Sequence, residues 1–305
     1  MENPGSNDER TTAVSRAAAL RGLASAAAGV SAGLAGAGSA NAAPTDESKT
    51  GWPVQAPQAA DLPPHVPPWM QQQGRPLSPY GSPSKYENSV IRRATTGTPT
   101  LLASWNFTPL QYMNGIITPN GLHYERNHAG VPDIDPAQHR LLIHGMVKRP
   151  LTFTMEDLMR YPTVSRIHFL ECSGNTGTEW TKPTGRTVQI THGLLSCAEW
   201  TGVPLAAIME DVGVDPDATW VLAEGADAAA MDRSIPVGKL RDDALLVYMQ
   251  NGEAIRPSQG YPLRLLLPGY EGNTNIKWLR RLKFMRAPAE TKEETAYYTQ
   301  LMKEG

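Results

Sequence analysis

The chain carries only two cysteines in 305 residues, Cys172 and Cys197. One pair cannot build a disulfide framework, and a chain of this length forms its own core without one. A zinc site needs several Cys or His ligands at short spacing, and no such cluster stands in the sequence. Cys-x-x-Cys-His is missing, so haem is not covalently attached through that motif. Gly-x-Gly-x-x-Gly after a strand, the phosphate-loop motif, Gly-x-Ser-x-Gly and His-Glu-x-x-His are missing as well. Nicotinamide binding, P-loop chemistry, the commonest hydrolases and the zinc proteases drop out with them. Nor is there an excess of one charge. Lys and Arg total 28 against 30 Asp and Glu, a net of -2, which argues against nucleic-acid binding. The mildest-charged stretch, Leu23 to Gly38, is Ala and Gly rather than Leu, too short and too weakly apolar to span a membrane.

What is present divides into three parts. Residues 1–43 have the grammar of an export signal: Arg16 and Arg21, the Ala/Gly/Leu run, then Ala40-Asn41-Ala42 as a small-x-small cleavage site. Weak hydrophobicity suits a twin-arginine signal that carries folded cargo, here in degenerate form because Arg16 and Arg21 are not adjacent. A disordered Ala-rich leader is the plainer alternative. Residues 44–100 are rich in Pro, Gln and Ser around Pro63-Pro64-His65-Val66-Pro67-Pro68-Trp69, and read as an extended arm. From residue 101 to 305, short apolar segments alternate with turn signals.

Strands are expected at His139–Gly145, Arg166–Leu170, Trp220–Ala223, Leu245–Met249, Leu263–Leu267 and Leu279–Phe284. Thr154-Met155-Glu156-Asp157 opens a capped helix, and Thr191–Trp200 and Pro204–Val212 read as helical by spacing. Strands outnumber helices without regular βαβ alternation. The fold class is therefore α+β with a mixed β-sheet.

Cys172 sits where an apolar strand, His168-Phe169-Leu170-Glu171, breaks into Ser173-Gly174-Asn175. That setting reads as exposed, and beside backbone N–H donors a thiol can be held as thiolate. A disulfide to Cys197, a nucleophile with a His partner, a soft-metal ligand and a thiol with no role all remain open from the residues alone. Cys197 reads as an inward-packed helix residue. Polar residues follow other apolar runs: Arg126-Asn127-His128, Asp227, Arg264 inside a strand, and Lys277 after Gly272-Asn273-Thr274-Asn275. Together they supply donors for a large anionic ligand, although each alone is more often an ordinary surface ion pair.

In this order around a strand-end cysteine, these residues resemble the sulfite oxidase family of molybdenum enzymes. The resemblance runs from about Tyr80 to the end of the chain. It is carried by Tyr124-Glu125-Arg126-Asn127-His128, by Phe169 to Asn175 and by the segment Gly193 to Leu205. Gly260-Tyr261-Pro262-Leu263-Arg264 with Pro268-Gly269-Tyr270, and Asn275-Ile276-Lys277-Trp278-Leu279, complete it. It implies a molybdopterin-binding domain in which the Cys172 thiolate is the protein ligand of molybdenum, beside the pterin dithiolene. Tyr124, Arg126, Asn127, Asp227, Gln259, Arg264, Asn275, Ile276 and Lys277 match cofactor-binding positions. Arg126 and Tyr298 fall at catalytic ones. The cofactor implied is molybdenum–molybdopterin, with no haem in this chain.

Departures refine the expectation. Gln259 stands where sulfite-oxidising members carry His, and Thr176-Gly177 where they carry Arg. The runs Ile116 to Arg126, Asp133 to Leu141 and Pro79 to Glu87 resemble a narrower branch, the molybdenum subunits of bacterial sulfane dehydrogenases. That branch implies a periplasmic enzyme oxidising a sulfane sulfur held on a carrier-protein cysteine, with a c-type cytochrome as electron acceptor. Sulfoxide reduction and a catalytically silent scaffold are the alternatives. Members of this kind continue into an immunoglobulin-like dimerisation domain, so a chain ending at Gly305 reads as a fragment.

Overall fold

The computed structural model describes residues 66–94, 100–179 and 187–299. The leader, the first part of the arm and residues 300–305 lie outside the described residues. Val66–Gly81 carries one 3-10 turn, Pro68–Met70, and Ser82 onward forms a separate compact unit. Residues 82–94, assigned to the arm by composition, therefore belong with the body. The reason is pairing: β1 (Arg93–Ala94) joins β2 (Trp105–Phe107) antiparallel, and Arg92 ion-pairs Glu125 at 2.9 Å.

The body contains β3 (Glu125–Arg126), β4 (Leu141–Gly145), β5 (Leu151–Phe153), α1 (Met155–Leu158), β6 (Val164–Glu171), α2 (Val188–His192), β7 (Leu195–Pro204), α3 (Leu205–Val212), β8 (Trp220–Gly225), β9 (Asp232–Pro236), α4 (Val237–Asp242), β10 (Leu245–Gln250), β11 (Glu253–Ala254), β12 (Arg264–Leu266) and β13 (Leu279–Met285). They form a small β1-β2-β3 sheet, a sheet ordered β11-β10-β7-β6 with β12 also on β10, and a sheet ordered β5-β4-β13-β8-β9. β13 runs parallel to β4 and antiparallel to β8, so the mixed-sheet expectation holds.

Two cores lie on either side of the middle sheet. Val203, Leu246, Leu263, Leu265 and Leu267 face a large cluster shared with α3, α4 and the third sheet. Ala198, Trp200, Leu245, Val247 and Leu266 face a second, smaller one with Phe107, Tyr124, Leu170 and Cys172. Strand alternation decides which residues go where. Leu263, Leu265 and Leu267 point one way, and Arg264, between them, points to the smaller core.

The helices at Thr154 and Pro204 form as their sequence signals require. Thr154 and Asp157 make a reciprocal capping box, and Gly213 ends α3 at φ +64, which a side chain would resist. The expected helix over Thr191–Trp200 is corrected. Only α2 is helical there, and Leu195–Pro204 is the longest strand of the molecule's described residues. Ser196, Ala198 and Trp200 point inward while Cys197 and Glu199 lie outward, so the period is two. Leu, Ala and Glu favour helix locally, but pairing with β6 and β10 on both sides overrides that preference. Cys197 is accordingly half-buried on the outer side of a strand rather than packed inward on a helix.

His123 is fully buried beside the smaller core, its Nδ1 3.0 Å from the Tyr124 carbonyl and its Nε2 without a partner. Burial pushes its pKa from 6.5 down to about 3, with Arg264, Arg92 and Lys277 adding to the shift. The unfolded chain therefore takes up this proton first. Stability is complete above about pH 6.5 and falls as the pH drops toward 3, by about 1.4 kcal/mol per unit from this group. Urea unfolding of cofactor-free protein between pH 7 and 4 is expected to show a shallower loss in His123→Phe than in the wild type.

Candidate active site

All the residues matched to a cofactor or catalytic position line one cleft. β3 and the residues on either side of it bring Tyr124, Arg126 and Asn127. The end of β6 brings Cys172, and the turn after β8 brings Asp227. Gln259 and Arg264 come from the approach to β12, and the loop before β13 brings Asn275, Ile276 and Lys277. Tyr298 closes the set from the segment after β13. The cleft also takes in His128, Met231, Ser258, Gly272, Asn273 and Trp278. His128 stood within a matched motif without a role. Trp278 likewise stood within a matched motif without a role, and Met231 and Ser258 carried no chemical signal.

Cys172 is not exposed as its loop context suggests: only 8% of it meets solvent. Its N–H bonds the Leu194 carbonyl at 3.0 Å, which draws the strand end under the loop before β7. Burial pushes the thiol above the ordinary cysteine range, opposed by the Gly174 N–H, the Arg126 charge and the Ser173 hydroxyl. Gly272 leaves room beside it. A Cβ there would come within 2.6 Å of the Tyr124 hydroxyl and 3.5 Å of the Cys172 Cα.

Positive charge is concentrated and unpaired. Among the described residues Arg126, Arg264 and Lys277 form no ion pair. Arg264 is 4% exposed, lies over the Trp200 ring at 5.3 Å, and donates from Nη1 to the Gln259 carbonyl and Oε1 at 3.0 and 3.2 Å. Its Nε has no partner. The Lys277 ammonium donates to the carbonyls of Arg126 and Ser258, at 3.0 and 2.9 Å, and to the Asn127 side chain. Burial, then the Arg264 charge, brings its pKa from 10.5 down to about 7. Buried cations held only by neutral oxygens are costly unless an anion joins them.

Some matched residues work on the backbone. Gln259 donates to the Tyr124 carbonyl at 2.8 Å as well as receiving Arg264. Asn275 accepts from the Leu267 N–H at 2.6 Å and donates to the carbonyls of Tyr270 and Glu271, so it shapes the loop carrying Gly272. Asp227 accepts from the Met231 N–H at 3.4 Å. Tyr298 Oη lies 3.0 Å from His128 Nε2. Burial, followed by Arg126 and Lys277, pushes His128 down to about 4, so its imidazole is neutral, while burial raises the Tyr298 phenol and keeps its proton.

A second, open cleft also reaches Cys172. Trp105, Phe107, Ile190 and Leu194 line part of it, polar side chains such as Ser173, Thr191 and Thr299 line the rest, and Arg126 and Glu271 are its charged residues among those described. Cys172, Arg126 and Tyr298 are the residues common to both clefts. The donor set fits a molybdenum–pterin group: one soft thiolate source, a cationic inner cleft with an orphaned guanidinium N–H for an anionic tail, and a glycine where a side chain would intrude.

Comparison with known proteins places the chain in a family. The family described as the oxidoreductase molybdopterin binding domain matches residues 128–293. The crystal structure of the sulfane dehydrogenase SoxCD from Paracoccus pantotrophus superposes with a TM-score of 0.76 at 41% identity, covering 79% of this chain and 63% of that one. A nitrate reductase [NADPH] of Phytophthora infestans is 38% identical over 186 residues, 57% of this chain and 20% of that protein. A nitrate reductase [NADH] of Petunia hybrida is 34% identical over 201 residues, 61% of this chain and 21% of that protein. The chain thus spans about a fifth of those reductases. No helix among the described residues is long and apolar enough to cross a membrane. With more than half of its residues matched, the chain belongs to the oxidoreductase molybdopterin binding domain family, the sulfite oxidase family that its sequence resembles.

Proposed function

We propose that the chain oxidises a sulfane sulfur carried on a cysteine of a carrier protein, passing the electrons to a c-type cytochrome. The observation that supports this reading is that two clefts meet at Cys172, Arg126 and Tyr298, a cationic inner one and an outer one whose walls mix aromatic, aliphatic and polar side chains. When bound, a molybdenum–molybdopterin group supplies two-electron oxidation of sulfur with transfer of an oxygen atom.

Cys172 would hold the metal as thiolate. Arg264, Lys277 and Arg126 would receive the anionic end of the pterin, with Tyr124, Asn127, Asp227 and Ile276 lining its cleft and Gln259 and Asn275 fixing the surrounding backbone. On the outer side, Arg126 brings positive charge toward an oxygen gaining negative charge on the substrate. Tyr298 keeps its proton and offers a hydrogen bond, its hydroxyl steered by neutral His128. Among the described residues the outer cleft carries a single cation, unlike a grip for a small free dianion. Glu271 offsets Arg126, and Thr176-Gly177 adds no cation. Its aromatic and aliphatic side chains suit the organic arm of a carrier instead. The N-terminal Ala-rich segment would direct such an enzyme to the periplasm.

Protein made in a cofactor-competent host is expected to hold nearly stoichiometric molybdenum and to turn over carrier-bound sulfane sulfur faster than free sulfite. Absence of molybdenum would favour the scaffold reading. Preferential reduction of methionine sulfoxide would favour a reductase.

A further inference from the structure

We propose that Arg233, which lines neither cleft, is a positioning residue that sets both Tyr298 and the hydrogen-bonding surroundings of Cys172. It lies on β9, an edge of the five-stranded sheet. Edge strands leave backbone groups free, and here the returning chain uses them. Thr291 Oγ1 donates to the Asp232 carbonyl at 3.3 Å. The Glu294 carboxylate accepts from the Ser234 N–H, the Ser234 hydroxyl at 3.1 Å and the Thr291 N–H at 3.1 Å. Ser234 Oγ also accepts the Ala289 N–H at 2.8 Å. This strip of β9 thereby docks a π-helix, Glu293–Tyr297, in which the Tyr298 N–H bonds the Glu293 carbonyl at 2.8 Å.

Arg233 stands in the middle of that strip with 11% of its side chain exposed. Its guanidinium lies 5.4 Å from the centre of the Tyr298 ring. Nε is 3.6 Å from Glu294 and Nη1 is 3.8 Å from Glu271, so the same group anchors the docked segment and the loop opposite it. Nη1 also donates to Asn273 Oδ1, which turns the Asn273 amide so that Nδ2 donates to Ser173 Oγ at 3.2 Å. Ser173 adjoins Cys172 in the chain, and its hydroxyl favours the thiolate. One planar fork therefore reaches the thiol through two side chains and the phenol through its ring face. An ammonium has the charge for the carboxylates but not the fork.

The inference rests on reading Tyr298 as an active-site hydroxyl, and its test separates the two ideas. In cofactor-free Arg233→Met, hydrogen exchange at the Tyr298 amide is expected to be faster by about tenfold or more, with little change in the strands of the large core. In loaded enzyme assayed with sulfite and ferricyanide, Arg233→Met is expected to lower kcat by about 10- to 100-fold with little effect on KM. Adding Tyr298→Phe should then cost much less than it does alone. Arg233→Lys should keep global stability while retaining the exchange and kcat defects. Unchanged exchange at Tyr298, fully multiplicative losses in the double variant, or a Lys variant equal to wild type would overturn the proposal. If Tyr298→Phe alone leaves kcat intact, the role of Tyr298 falls, and the exchange result still decides whether Arg233 holds the segment.

Discussion

Cys172→Ser is expected to abolish turnover with every sulfur donor while leaving fold and pterin content largely intact. The substitution exchanges a polarisable sulfur for a hard hydroxyl that stays protonated, so the soft-metal ligand is lost outright. Little else should move. Cys172 is held by its backbone, through the Leu194 carbonyl and a turn in which Asn175 N–H bonds the Cys172 carbonyl at 2.9 Å. Burying a hydroxyl in place of the thiol costs about 1–3 kcal/mol at most, less if Ser173 or Gly174 pairs with it. Pterin retention is expected because Arg126, Arg264 and Lys277, rather than the thiol, supply the charge that holds an anionic tail. Metal and pterin analysis, a thermal melt and a turnover assay on one preparation check each part. Retained turnover would remove Cys172 from the centre of the site.

Cys172 also shows what the sequence could reveal and what it could not. The break from Phe169-Leu170 into Ser173-Gly174 marked a strand end correctly, and β6 stops at Glu171. Its burial depends on Leu194, 22 positions further along, where no local pattern reaches. β12 was legible because Leu263, Leu265 and Leu267 alternate with a charge, and alternation fixes the face on which Arg264 lies. β7 was illegible because Leu, Ala and Glu prefer helix, and only pairing on both edges makes the segment a strand.

The site was read through resemblance rather than spacing, and the resemblance collected residues that line one cleft without giving their individual work. Gln259 and Asn275 line the cleft, yet their amides are engaged with Tyr124, Leu267, Tyr270 and Glu271 backbone groups. The Arg233 network had no sequence signal at all. Asp232-Arg233-Ser234 and Thr291 to Tyr298 meet only because β9 is an edge strand with a free side.

Arg264→Met is expected to have opposite effects on stability and on cofactor loading. In the cofactor-free protein, Arg264 places a guanidinium beside the smaller core, over Trp200, with one N–H unsatisfied and no ion pair among the described residues. Burial brings its pKa from 12.5 down to about 10, a sign of how poorly the surroundings receive the charge. Methionine fills similar length, packs on Trp200 and needs no partner. Removing an unsatisfied buried donor and its charge is therefore expected to raise the unfolding free energy of the cofactor-free protein by about 1–3 kcal/mol, offset in part where Gln259 loses its donor. Loading should still fall, because Lys277 is left as the deepest cation and a single ammonium replaces a pair of charges, even though loss of the Arg264 charge relieves part of the depression of the Lys277 pKa. Urea unfolding of cofactor-free protein and pterin content of protein from a competent host measure the two effects separately. A variant both less stable and fully loaded would show that Arg264 belongs to the architecture of the smaller core. The opposite pairing would mean that this cation is kept, at a cost to the empty protein, for the anion it receives.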